Sequence, residues 1–308
     1  MFSARDVPDQ TGRVVVITGG NSGIGYEAAR VLLAKHARVV LACRDATKMM
    51  RAAQALRDEV KGSAVDEVVL DLSSLASIEN ASVLLTAMHP KIDVLVNNAG
   101  VMALPERQTV DGFEMQFGTN HLGHFAFTGR MLPALLAAPS SRIVTVSSLL
   151  HRGGHIEFND IPLAKAYDEG KQYGMSKLAN VLFSYELDRR LKASSSSSIA
   201  LACHPGYSAT NLQGAGPAMK GSAVMSLVMK VANAVVAQPA ASGALGTLMA
   251  ATSPDLRGGE YIGPVGMNHM RGPPVVSKSN AESYDLDVAK KLWARSEELT
   301  KVRFPFPH

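Results

Sequence analysis

Short apolar runs recur along the chain, each followed by a longer stretch of helical composition. The runs are Val14–Thr18, Val39–Cys43, Val68–Leu70, Ile92–Val96, Arg142–Val146 and Ile199–Cys203, with a short last one at Glu260–Ile262. Strand then helix, repeated in this way, predicts a parallel sheet covered by helices on both faces. Right-handed crossovers then give the doubly wound strand order 3-2-1-4-5-6-7. No internal repeat and no linker interrupts the pattern. The serine run Ser194–Ser198 is too short to separate two domains and reads as a loop closing a helix. The expectation is one α/β domain of Rossmann type over residues 1–308, with about seven strands.

Three places along this pattern carry chemistry. After the first strand comes Thr18-Gly-Gly-Asn-Ser-Gly-Ile-Gly25, which leads into the helical stretch Tyr26–Leu33. Gly19, Gly23 and Gly25 permit a tight turn and a close approach of backbone to a pyrophosphate. The helix starting near Ile24 presents free N–H groups and its positive dipole end to that anion. Ser148 ends the run Arg142-Ile-Val-Thr-Val-Ser-Ser148, and ligands of open α/β sheets sit outside the carboxyl ends of strands. Ser147 competes with it, and strand alternation points the two hydroxyls to opposite faces, with Ser148 preferred. Tyr173-Gly-Met-Ser-Lys177 places a phenol and an ammonium one helical turn apart, on one helix face. A nearby cation stabilises a phenolate and moves its pKa toward the range of a general acid or base, although the spacing alone also fits a surface pair.

Together these residues resemble the short-chain dehydrogenase/reductase family, from Gly12 to about Glu298. The stretch YGMSKLANVLFSYEL, with Ser148 and His151 ahead of it, is similar to the retinol-dehydrogenase branch. Glycines at 19, 23 and 25 differ from the G-x-x-G-x-x-G spacing usual in the epimerases and dehydratases of the extended type, which favours simple carbonyl/alcohol oxidoreduction. The resemblance implies a catalytic set of Asn120, Ser148, Tyr173 and Lys177. It implies cofactor contacts at Gly19, Asn21, Ser22, Gly23, Ile24 and Gly25 of the loop, and at Asp71 and Leu72, with Asp71 on the adenine. It adds Asn98, Ala99 and Gly100 in the segment Asn97–Gly100, then Tyr173 and Lys177, and Pro205, Gly206 and Thr210 at the nicotinamide end. Asn120 is expected to organise, through its backbone, a water that links Lys177 to solvent. The segment His151–Gly170 is longer than in minimal family members and is expected at the pocket rim.

Cofactor choice turns on Arg44, at the end of the second strand. An NAD enzyme of this fold usually carries an acid there for the ribose 2′-hydroxyl. A guanidinium instead pairs with a 2′-phosphate in a fork geometry. NADP(H) is therefore preferred, with NAD(H) left open because Asp45 next door offers a hydroxyl acceptor. Residues 211–240 are expected to form a substrate lid, and 260–308 a C-terminal extension. Within the lid, Ser222, Ser226, Lys230 and Asn233 form a polar stripe opposite a broad face with Met219, Met225, Leu227 and Met229. That face suits a lipophilic alcohol, aldehyde or ketone. Core packing, a dimer contact or weak membrane association would use the same surface.

Composition narrows the classes. The chain has 308 residues, is 46% hydrophobic and 19% charged, and carries a net charge of +4. These are globular values, and without a lysine/arginine run nothing favours nucleic acid. Cys43 and Cys203 are too few for a disulfide framework and read as buried thiols of a reducing compartment. His121 and His124 lack the companions of a zinc site, so no metal is expected. The amino terminus does not read as a signal peptide and no run of about 18 apolar residues occurs, which points to a cytoplasmic protein, whereas animal retinol dehydrogenases often carry a membrane anchor. A homodimer or homotetramer is compatible with the family. The expected activity is NADP(H)-dependent interconversion of a lipophilic alcohol and its aldehyde or ketone. The alternatives are an NADP(H)-binding regulator without significant turnover and an NAD(H) enzyme of small polar carbonyls.

Overall fold

The computed structural model describes residues 1–161, 166–208 and 237–306. Thr210 and the apolar lid face around Met219–Val236 lie outside the described residues. Eight strands form one sheet in the order β3-β2-β1-β4-β5-β6-β7-β8. They are β1 (Val14–Thr18), β2 (Arg38–Cys43), β3 (Ala64–Val69), β4 (Val94–Asn97), β5 (Arg142–Val146), β6 (Ile199–Cys203), β7 (Tyr261–Gly266) and β8 (Arg271–Ser277). The first seven run parallel in the expected order.

The eighth strand was not anticipated. It pairs antiparallel with β7, Tyr261 opposite Ser277 and Pro264 opposite Pro274, with a register shift beyond Pro264. Its sequence, Arg-Gly-Pro-Pro-Val-Val-Ser, hides a strand because proline donates no ladder hydrogen bond. An edge position tolerates this, since one side of the strand has no partner.

The central strands feed two cores. In β1, Val15 and Ile17 pack with α1 (Gly23–Ala34) and with α7 (Ala240–Thr252) on one face. Val16 points to the other face, with α3 (Leu75–Met88) and α5 (Gly123–Leu136). Strands buried on both sides need apolar residues at every position, which is why β1 reads Val-Val-Val-Ile-Thr. The second face is closed by α6 (Glu169–Ala193), α8 (Leu286–Thr300) and the tail after it. Trp293 sits 5.0 Å from Phe125 and 4.5 Å from Phe304 between ring centroids, so the last described residues belong to the central core.

Helix starts follow side-chain caps. Asp45 accepts from the backbone N–H of Lys48 at the head of α2 (Ala46–Glu59), and Asp168 from that of Lys171 at the head of α6. The run Gly118–Leu122, between the short α4 (Met115–Phe117) and α5, is wound as a π-turn, in which the Gly123 N–H donates to the Gly118 carbonyl. Such turns insert one extra residue into a helix and are frequent at functional sites.

Candidate active site

The carboxyl ends of β1, β2 and β4 open onto a cleft of about 350 Å³. Its walls bring together Gly19, Asn21, Ser22, Gly23, Ile24 and Gly25 with Arg44, Asp71, Leu72, Asn98, Ala99 and Gly100, residues spread over 80 positions of sequence. The loop is held against the sheet by Asn98, whose Nδ2 donates to the Thr18 carbonyl at 2.8 Å. A methyl group at Gly25 would lie 2.6 Å from Asn98 Nδ2 and 2.7 Å from the Gly19 carbonyl. Gly19 has φ +66°, a left-handed conformation natural to glycine. Backbone thus lines the cleft where side chains would otherwise fill it, a cradle that fits a pyrophosphate at the α1 N-terminus.

At the cleft mouth, Arg44 is exposed and makes no hydrogen bond among the described residues. Lys48, in the first turn of the helix that follows, lines the same mouth as a second cation. Asp45, the competing acceptor, is engaged as the α2 cap and lies 3.4 Å from Lys48 Nζ. Asp71 makes a local turn, its Oδ1 accepting from the backbone N–H and hydroxyl of Ser73 at 2.9 and 2.7 Å, while still facing the cleft.

The inner end of the cleft, at Gly100, meets a buried polar cluster. A Cβ on Gly100 would stand 3.1 Å from Asn120 Oδ1 and 3.4 Å from Lys177 Nζ. The π-turn aims the Asn120 side chain at the cleft wall: Oδ1 accepts from the Val101 N–H, and Nδ2 donates to the Val101 carbonyl and the Ser176 hydroxyl. Lys177 Nζ donates to the Val146 carbonyl at 3.1 Å and lies 5.7 Å from the Tyr173 ring centre, so the pair is interior and not a surface pair.

The two serines separate as strand alternation requires. Ser147 is buried and donates to the Lys177 carbonyl at 2.7 Å, pinning α6 to β5. Ser148 is half-buried and its hydroxyl stands near enough to the Tyr173 phenol to favour the phenolate. Its Oγ also accepts from the Leu150 N–H at 3.3 Å, which leaves its own proton to point at the phenol oxygen or at a substrate oxygen beside it.

The phenol does not titrate in the expected direction. Burial pushes Tyr173 up to about 12, opposed by the Ser148 hydroxyl, and burial pulls Lys177 down to about 8. Desolvation disfavours both charged forms and outweighs their mutual attraction at this separation.

Ser148 is supported from behind. His151 Nδ1 contacts the Ser148 carbonyl at 2.6 Å, and its Nε2 accepts from the Asn280 N–H at 3.3 Å. The Tyr261 hydroxyl approaches the same ring at 3.1 Å, and His204 stacks on Tyr261. Segments after residue 260 therefore buttress the site, with His151 as the link. After β6, the Pro205 carbonyl accepts from Gln238 Nε2 at 2.6 Å, and Gly206 has φ +67° against the Met270 carbonyl. Among the described residues, no group of three His, Cys, Asp or Glu side chains is placed to hold a metal ion. Cys43 and Cys203 are buried free thiols. No helix among the described residues is long and apolar enough to cross a membrane.

The short chain dehydrogenase family model matches residues 13–220. The chain belongs to that family. It is 39% identical to human (Homo sapiens) retinol dehydrogenase 13 over 297 residues, covering 96% of this chain and 86% of that one. Identity to human retinol dehydrogenase 14 is 37% over 301 residues, covering 93% and 85%. A solved structure from Mycobacterium paratuberculosis, described as an uncharacterized protein, is 40% identical, superposes with a TM-score of 0.82 and covers 99% of both chains. The chain is thus an NAD(P)-dependent oxidoreductase acting on CH–OH groups.

Four buried histidines near this core are held neutral by burial: His121 and His204 at about 3, His124 and His151 at about 4. The unfolded chain takes up these protons near pH 6.5, so it binds more protons than the native state between about pH 6.5 and 4. Stability should therefore fall with decreasing pH in this window, by up to about 1.4 kcal/mol per pH unit for each histidine. Glu114 and Asp188, raised by burial, act in the opposite sense and reduce the slope. Urea midpoints measured from pH 7.5 to 5 check this, and a midpoint that stays level or rises toward pH 5 contradicts it.

Proposed function

We propose that this protein is an NADP(H)-dependent reductase of lipophilic aldehydes or ketones, running toward the alcohol, with Tyr173 as the proton donor. The observation that supports this most is the meeting of Asn120, Lys177 and the Gly100 end of the cleft, with the Tyr173 ring 5.7 Å from Lys177 Nζ. When bound, the dinucleotide supplies the hydride, from C4 of its nicotinamide. Tyr173 Oη gives its proton to the carbonyl oxygen as negative charge develops there. Ser148 Oγ–H hydrogen-bonds the same oxygen more strongly as that charge grows. Lys177 Nζ would hold the ribose hydroxyls at the Gly100 end, and Asn120 shapes the path by which Lys177 reaches solvent. A phenol raised to about 12 stays protonated at neutral pH, the state that donates in the reductive direction.

Arg44 and Lys48 form a two-cation mouth for a 2′-phosphate, and the engagement of Asp45 as a helix cap disfavours NAD(H). The retinol dehydrogenases named above act, by their names, on a lipophilic alcohol, and the apolar composition of residues 219–236 agrees with such a substrate. We infer a cytoplasmic site of action, where both thiols stay reduced.

Tyr173→Phe keeps the ring and removes the hydroxyl. NADPH affinity should stay near wild type while turnover of decanal falls by about 10²–10⁴-fold. Retention of more than about a tenth of the rate, with chemistry limiting, rules out Tyr173 as the donor.

Arg44→Ala should weaken NADPH by roughly 10- to 100-fold and leave NADH little changed. Equal loss for both dinucleotides, measured by fluorescence titration, would show that Arg44 does not face the phosphate.

Each buried methylene contributes about 0.8 kcal/mol, so kcat/KM should climb by up to about 200-fold over four added carbons. Straight-chain aldehydes of increasing length, with retinal alongside, provide the measurement. A level or falling series points to a polar pocket.

A further inference from the structure

His124 lies four residues after Asn120, fully buried, and both of its ring nitrogens are engaged. Nδ1 is 2.9 Å from the Asn120 carbonyl oxygen, which only accepts, so Nδ1 carries the ring proton. A neutral imidazole then offers Nε2 as acceptor, and Thr18 Oγ1, 2.9 Å away, donates to it. Thr18 Oγ1 in turn accepts the backbone N–H groups of Asn98 at 2.9 Å and Ala99 at 3.0 Å. The other acceptor within reach of the Thr18 hydroxyl, the Val96 carbonyl at 3.4 Å, is the more distant of the two. Charging the ring would put a second proton opposite the Thr18 hydroxyl, within the field of Lys177.

The chain of bonds adds a second link, to the end of β1, between two parts that the Asn120 side chain already joins at Val101. Thr18, Asn98 and Ala99 are the strand ends that carry the cofactor cleft. Asn120 belongs to the π-turn whose side chain stands beside Lys177 at the inner end of that cleft. A π-turn shifts the regular i to i−4 ladder, and a side-chain donor adds a bond that holds the direction of a carbonyl there. His124 supplies that donor to the one carbonyl that belongs to Asn120.

We infer that His124 is a positioning residue for proton transfer: through Nδ1 it fixes the Asn120 carbonyl, and through Nε2 it ties that carbonyl to the cofactor-bearing end of β1. The inference rests on the proton-transfer reading of Tyr173, Lys177 and Asn120 given above. It differs from a plain core histidine in what each ring nitrogen contributes, and this separates by substitution. Asn places an amide nitrogen where Nδ1 stands and so retains the bond to Asn120 alone. Gln places an amide oxygen where Nε2 stands and so retains the bond to Thr18 alone.

The test measures kcat, KM for NADPH and the solvent deuterium isotope effect on kcat with decanal, alongside thermal unfolding, for His124→Asn, His124→Gln and His124→Leu. In His124→Gln and His124→Leu, kcat should fall roughly 10- to 100-fold with a larger isotope effect and a near-constant KM for NADPH. His124→Asn should restore kcat to within about threefold of wild type, the cost of one lost hydrogen bond. If Asn and Gln lose activity alike, in step with their melting temperatures and with an unchanged isotope effect, His124 is only a core residue. Should His124→Leu fail to fold, the Asn and Gln pair still decides. Tyr173→Phe is run in parallel: if it stays active the underlying reading fails, and if it is inactive while all His124 variants match wild type only the present inference fails.

Discussion

The parallel register of β1, β4, β5 and β6 is the constraint on which the site depends. Because these strands run the same way and stand side by side, their carboxyl ends reach one edge of the sheet together. Thr18, Asn97, Val146 and Cys203 each finish a strand there. The glycine loop, Asn98–Gly100, Ser148 and Pro205–Gly206 are the residues that come next. Lys177 reaches the same edge from α6 and is held by the Val146 carbonyl, and the Asn98 side chain locks the glycine loop to it. A slip of one register step would turn each of these residues to the opposite face.

Much of this was legible in sequence, for a physical reason. A strand buried on both faces must be apolar throughout, so β1, β2, β5 and β6 stand out, and their ends were placed within one residue. The edge strand β3 was read too short: Asp66 and Glu67 interrupt its apolar run, and in the structure they pair with Arg38 and Arg57 on the exposed rim. Strand β8 was missed because Pro273 and Pro274 argue against a strand everywhere except at an edge.

Site residues divide along the same line. Those set by local geometry, such as the glycine loop or the Tyr173–Lys177 turn, could be named from spacing or resemblance. Those whose role arises from contacts over long separations could not. His124 gains its role from Thr18, 106 positions away, and His151 from Asn280, 129 positions away. The raised phenol of Tyr173 was misjudged for a related reason: spacing shows that a cation is near, but only the fold shows how much water has been removed.

The place of Trp293, Val302 and Phe304 in the core has a consequence for how the chain acquires its structure. These residues share one core cluster with Val16, and the rings of Trp293 and Phe304 pack on Phe125 and Phe183, so one of the two layers beneath the sheet stays open until position 304 has been synthesised. During translation the nascent chain would display the aromatic faces of α5 and α6 to water for the whole time the last third is being made. Such exposed surface is what chaperones bind and what aggregates in their absence. Shortening the chain before Phe304 would make that transient state permanent, leaving the cofactor half of the sheet formed and its reverse side uncovered.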